Sequence, residues 1–276
     1  MRFLLICTLA LLAAAANARP ATAKVVTSTV AFRDGDVQLT GYLAYDDAIK
    51  GKRPGVLVIH EWWGLNDYAK KRAEMLAEMG YVAFAADMYG TGVTAKDAKE
   101  AGKLAGAIRK DRHAWMKRAK ANLEILKSAT PTDGTKLAAI GYCFGGSTVL
   151  NMALTGMPVN AVVSFHGALP TDVTVGEAKD CKAKILVCHG ANDSFIKDEV
   201  IQKFRGVLDE GKTDYMFVYY ANAVHSFTNP GADKYMMPGI AYNREADTRS
   251  WAHMRQLFHE VFGEKARTGT GASAGR

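Results

Sequence analysis

Thr135-Lys136-Leu137-Ala138-Ala139-Ile140-Gly141-Tyr142-Cys143-Phe144-Gly145-Gly146-Ser147-Thr148-Val149-Leu150 is the stretch that decides the fold. Its first half, up to Tyr142, is apolar enough for a buried strand. The residues from Ser147 to Gly156 have the small and apolar character of a helix packed on a sheet. Between them, Gly141 and Gly145 stand two positions before and two after Cys143, which suits a sharply bent backbone with little bulk around it. The spacing predicts a strand-to-helix elbow with the Cys143 thiol held outward, and a strand that feeds a helix is the building unit of a parallel α/β sheet.

The same alternation continues on both sides of the elbow. Residues 25–32 and 37–45 alternate in polarity and flank the Asp34-Gly35 turn, as a β-hairpin does. Short β-rich runs then follow at 55–60, 81–87, 136–142, 161–167, 184–190 and 215–223, and most of the segments between them have helical period: 66–80, 96–128, 147–156 and 198–211. A last helix over about 245–262 carries Trp251, Met254, Leu257, Phe258 and Val261 at helical spacing, which marks them as core. The fold class is therefore α/β, a mostly parallel sheet with helices on both faces and an N-terminal β-hairpin. No internal repeat is visible.

With 276 residues, 49% of them hydrophobic, the chain is long enough for one α/β domain with a large core. Residues 1–18 combine Arg2, an apolar run and the small-x-small sequence Ala16-Asn17-Ala18, which predicts a cleaved signal peptide, export to the periplasm or outside, and no stable membrane association afterwards. The expected domain then spans 19–264, and the polar 265–276 tail is expected to be disordered. Cys7 would leave with the leader. Of the remaining cysteines, Cys188 lies in an expected central strand and reads as a small buried hydrophobe, and a bridge from Cys181 back to Cys188 is not expected. The formal charge is +7, but the basic residues are interspersed with acidic ones in KKRAEMLAE, KDAKEAGK and IRKDRHAWMKRAK. Such runs read as solvated helix faces and argue against a nucleic-acid partner.

In a doubly covered parallel sheet, chemistry gathers at the carboxyl ends of the strands. Glu61, Cys143, Asp193 and His225 fall there. The amino end of a helix favours a thiolate at Cys143, an imidazole can complete the activation, and a carboxylate fixes the imidazole tautomer. Singly, each is a weak signal: glycine turns also surround inert cysteines, Asp193 also fits a cap for the helix that begins near Lys197, and His225 also fits an ordinary loop. Together, the order nucleophile, acid, histidine is that of an α/β-hydrolase. His60, His166 and His189 also end strands near the same rim. No pair of them has metal-ligand spacing, no phosphate loop appears, and the chemistry requires no cofactor.

GYCFGG, HEWWGLN, ADMYG, HGANDSFI and AVHSF resemble the dienelactone hydrolase family of α/β-hydrolases, from about Arg33 to Phe262. The resemblance implies an α/β-hydrolase fold and a hydrolase acting on a small-molecule ester or lactone. It assigns Cys143 as nucleophile and makes Glu61 the partner of the thiol in the resting enzyme, which moves when substrate binds. The oxyanion would be held by the backbone N–H groups of Phe144 and Trp62. In the family, two arginines grip the substrate carboxylate. Here those positions are Thr91 and Asn229, which favours a neutral or bulkier ester or lactone. Arg109, Arg112 and Arg244 remain as basic residues that could compensate, although each reads more simply as a surface residue, and Trp62 and Trp63 fit either a substrate pocket or the core. The reading is a monomer or small homo-oligomer that forms a thioester acyl-enzyme. Its rivals are a thioester or small-amide hydrolase on the same residues, and a periplasmic binding protein without turnover.

Overall fold

In the computed structural model the structure describes residues 24–263, so the expected leader and tail lie outside the described residues. Eight strands form one sheet: β1 (Val25–Asp34), β2 (Val37–Asp46), β3 (Arg53–Ile59), β4 (Val82–Ala86), β5 (Thr132–Tyr142), β6 (Ala161–Phe165), β7 (Lys184–Gly190) and β8 (Tyr215–Tyr220), in the spatial order β1-β2-β4-β3-β5-β6-β7-β8. β1 and β2 form the antiparallel hairpin, with Val25 opposite Asp46 and Asp34 opposite Val37 around Gly35-Asp36. β2 pairs antiparallel with β4, and every pairing from β4 through β3 to β8 is parallel.

This order positions the site. The chain leaves β3 for β4 on one side and returns to β5 on the other, so the winding reverses between β3 and β5, and a crevice opens beyond their carboxyl ends. The segment that follows β3 and the elbow that follows β5 border that crevice.

Alternation along the strands divides the core in two. Leu57 and Ile59 of β3 face a layer that includes Trp115, Met116, Leu123 and Leu126 of α3 (Arg112–Ser128), Val149 and Leu150 of α4 (Phe144–Leu154), and Phe204 of α6 (Asp198–Gly211). Val56 and Val58 face Leu76 of α1 (Asp67–Glu78) and Met254, Leu257 and Phe258 of α7 (Arg244–Phe262). Of the α7 residues expected in the core, Met254, Leu257 and Phe258 are buried, while Trp251 and Val261 pack against them only partly buried.

The stretch 96–128 is two helices rather than one. α2 (Ala98–Arg109) is capped by Asp97, and α3 by Asp111, whose carboxylate accepts the N–H groups of His113 (2.9 Å) and Ala114 (3.1 Å). An aspartate that satisfies the free N–H groups of a new first turn competes with continuation of the helix, and hydrophobic period alone does not register that. A short α5 (Val175–Asp180), closed by a Thr174–Glu177 capping box, fills the gap before β7.

Candidate active site

At the elbow, Cys143 adopts φ 52° and ψ −109°, a left-handed conformation that costs an L-residue on the order of 1–3 kcal/mol unless its surroundings impose it. The surroundings do so here. A Cβ at Gly145 would collide with the carbonyls of Ile59 and His60, and one at Gly141 would collide with the backbone of Gly145. The first turn of α4 therefore presses directly on the end of β3. The Cys143 N–H donates to the Phe165 carbonyl (3.0 Å) and to His166 Nδ1 (3.2 Å). Phe144, the first residue of α4, has an N–H with no acceptor within its own helix.

The next two candidates meet the first. His225 Nδ1 lies 2.8 Å from Asp193 Oδ2, in a carboxylate side chain with no solvent exposure. That leaves Nε2 for Cys143, whose side chain is hydrogen-bonded to the imidazole. The backbone of His225 is held on both sides: its N–H donates to the Gly239 carbonyl (3.1 Å), and its carbonyl accepts from Ala241 (3.2 Å). Burial disfavours a charged imidazole, but the charge of Cys143, the hydrogen bonds to Asp193 and Cys143, and the charge of Asp193 outweigh it and raise the His225 pKa to about 10.

Glu61 is buried beside this pair. Its Oε1 accepts from Ser226 Oγ (2.9 Å) and its Oε2 from Asn229 Nδ2 (2.6 Å). Asn229 Oδ1 in turn accepts from the Gly231 N–H (2.9 Å), which fixes the amide with its nitrogen toward Glu61. Burial raises the Glu61 pKa, opposed by these two hydrogen bonds and by the charges of His225 and Arg72. The family resemblance implies a thiol partner for Glu61, whereas here both carboxylate oxygens are engaged by the segment that follows His225. Asn229, which stands where the resemblance expects a substrate-gripping arginine, is a carboxylate donor, and Ser226 was not visible as a participant. Thr91 is hydrogen-bonded to the β2 strand, through Thr40 Oγ1 (2.8 Å) and the Gln38 carbonyl (3.0 Å).

Two of the rim histidines act on backbone. His60 is fully buried, with Nδ1 on the Glu61 carbonyl and Nε2 accepting the Met88 N–H (3.3 Å), and burial pulls its pKa down to about 4. As a neutral ring it donates from Nδ1. The Glu61 carbonyl belongs to the same peptide plane as the Trp62 N–H, and a trans peptide directs the two oppositely, so His60 sets the direction of that N–H. Tyr89 Oη donates to the next carbonyl, that of Trp62 (3.1 Å). His166, also buried, takes up φ 41°, receives the Cys143 N–H at Nδ1 and reaches Thr228 Oγ1 with Nε2 (2.7 Å). Burial holds its pKa well below that of free imidazole. His189 instead packs against the rings of Phe217 and Tyr219, which also contact each other.

Of the compensating arginines, Arg109 lies over the Phe144 ring (5.2 Å), Arg112 bonds Glu177 (2.7 Å) and Asn151 (2.9 Å), and Arg244 is exposed at the start of α7. Trp63 is buried and stacked on Tyr235 at 4.2 Å, while Trp62 remains half-buried. Cys181 and Cys188 are free thiols, and Cys188 is buried. Among the described residues, no group of three His, Cys, Asp or Glu is placed to hold a metal ion.

Comparison with known proteins places the chain in a family. The description "Dienelactone hydrolase family" matches residues 39–262. The chain is 34% identical over 208 residues to Protein usf of Aquifex pyrophilus, covering 72% of this chain and 86% of that protein. It is 41% identical, with a TM-score of 0.83, to a dienelactone hydrolase-like promiscuous phosphotriesterase from metagenomic libraries, covering 87% of this chain and 99% of the other. The dienelactone hydrolase of Anabaena variabilis shares the fold, with 23% identity and a TM-score of 0.59 over 84% of this chain and 98% of its own. A match that runs from β2 to the last turn of α7, and so takes in the elbow and every strand end around it, makes this chain a hydrolase of the dienelactone hydrolase family, with the α/β-hydrolase fold.

Proposed function

We propose that the chain hydrolyses a carboxylic ester or lactone through a thioester on Cys143. The observation that carries this reading is His225, held between Asp193 at 2.8 Å and the Cys143 side chain. In the first half-reaction the sulfur of Cys143 forms a bond to the carbonyl carbon, and the carbonyl electrons move to oxygen. That oxygen is received by the N–H groups of Phe144 and Trp62, the latter aimed by His60. The C–O bond then breaks, and the departing alkoxide takes the proton from His225 Nε2. In the second half-reaction His225 accepts a proton from water as its oxygen adds to the thioester, and the C–S bond breaks to release the acid and restore the thiolate. Glu61, tied to Ser226 and Asn229, holds the loop that carries Trp62 against the loop that carries His225.

A neutral substrate fits better than one bearing a carboxylate, because Asn229 is committed to Glu61 and Thr91 to β2. Turnover on 4-nitrophenyl acetate tests the mechanism. C143A is expected to lower kcat on the order of a thousandfold or more, and the wild type to show a burst with one acetyl group on Cys143 by intact mass. Full activity in C143A would sink the reading. A second reading, phosphotriester hydrolysis, is favoured by the 41% identity to the metagenomic phosphotriesterase. In that case a diethyl aryl phosphate would turn over beyond one equivalent instead of trapping Cys143 as a stable adduct. We further propose that the protein acts after export, with its mature end near Arg19.

A further inference from the structure

The neighbours of His225 determine where each half of an ester must lie. Nδ1 is taken by Asp193, so Nε2 faces the sulfur and the oxygen that must be protonated. One flank of the ring is closed by His166, fully buried with its centroid 5.3 Å away. A second ring beside the imidazole is Phe195, whose centroid lies 5.2 Å away at an interplanar angle of 64°, with 52% of the residue exposed.

Phe195 differs from an ordinary surface apolar residue because two backbone links fix it against His225. Its N–H donates to Asp193 Oδ1 (3.0 Å), while the other oxygen of that carboxylate holds His225. Its ring edge lies against Gly239, where an added Cβ would stand 3.2 Å from Cε2, and the Gly239 carbonyl accepts the His225 N–H (3.1 Å). The ring therefore keeps its place beside the imidazole with half of its surface uncovered.

In acyl transfer the carbonyl oxygen goes to the Phe144 and Trp62 N–H groups, and the alcohol oxygen goes to His225 Nε2. The body of the alcohol must then extend along an open side of the imidazole, and of the two rings beside it the exposed one is Phe195. We propose that Phe195 is the alcohol-side wall of the site and selects esters whose leaving group is an aromatic alcohol, by edge or offset ring contact. This rests on the ester-hydrolase reading above.

The test compares phenyl acetate with 2,2,2-trifluoroethyl acetate, which share the acyl group and differ in the alcohol. The readout is the ratio of their kcat/KM values, which cancels any effect common to the two esters, such as a loss of folded enzyme. F195A is expected to lower the phenyl-to-trifluoroethyl ratio about tenfold, the scale of one aromatic contact, and F195Y to keep it within about twofold. An unchanged ratio in F195A, with both esters still turned over in a Cys143-dependent way, would overturn the role of Phe195 and leave the hydrolase reading standing. No Cys143-dependent turnover of either ester by the wild type would overturn that reading and this one with it.

Discussion

His60 lies under the Glu61–Trp62 peptide with both ring nitrogens engaged and no exposed surface, so protonating it means placing a charge where there is no water. Its folded pKa is about 4, against about 6.5 for free imidazole. Between those values the unfolded chain holds a proton that the folded chain does not. The stability due to His60 is thus fully present above about pH 6.5 and is lost as pH falls through about 4, amounting to about 3 kcal/mol by linkage. His166 and His189, whose pKa values are also lowered by burial, act in the same direction. Urea midpoints measured from pH 7 to pH 4 are expected to fall in the wild type and to fall less steeply in H60N, which keeps a δ-side donor for the Glu61 carbonyl but does not titrate. Equal slopes would mean that His60 is not held neutral. Cys143, Asp193 and His225 were legible in the sequence because each follows a strand, and the sheet brings strand ends together. The role of His60 was not, because it depends on which way one peptide plane faces.

At the scale of elements, the decisive contact is the first turn of α4 against the end of β3. It was foreshadowed by two glycines, but the sequence did not say what they approach. Because the Gly145 position opposes backbone carbonyls rather than a movable side chain, G145A cannot be absorbed by a rotamer change. α4 would have to move away from β3, taking the Phe144 N–H away from the Trp62 loop. The expected cost is about 3 kcal/mol or more, at or above the usual penalty for overpacking, seen as a lower thermal midpoint. Activity on 4-nitrophenyl acetate should fall further than the stability loss explains. A variant with wild-type melting and activity would show that the close approach is not needed. Helix boundaries were less legible than helix existence. The break at Asp111 is set by a side chain completing a new first turn, which competes locally with a hydrophobic pattern that continues through it.

Across the whole molecule, the clearest departure from the sequence reading is Arg72. In KKRAEMLAE it counts as one more charge on a solvated face, and Lys70 and Lys71 do lie near acidic neighbours at the surface. Arg72 instead points inward, only 4% exposed, and binds the Asp247 carboxylate (2.6 Å) and the Thr228 carbonyl. It also lies over the rings of Tyr68, Tyr142 and Trp251. A position one step around a helix decides between solvent and core, and the partner in α7 is 175 residues away, so no local pattern could have marked it. The pair joins α1 to α7 beneath the His225 loop and ties the early half of the chain to its last helix. Removing one partner leaves the other charge buried, which typically costs about 3–5 kcal/mol, whereas removing both with apolar filling costs less. R72A is therefore expected to lose stability in that range in urea. R72M combined with D247N should lose clearly less than the sum of the two single substitutions, a coupling that a double-mutant cycle reads directly. Should R72A change stability by less than about 1 kcal/mol, as an exposed pair would, the surface reading of KKRAEMLAE would stand and the link between α1 and α7 would have to come from the aromatic packing alone.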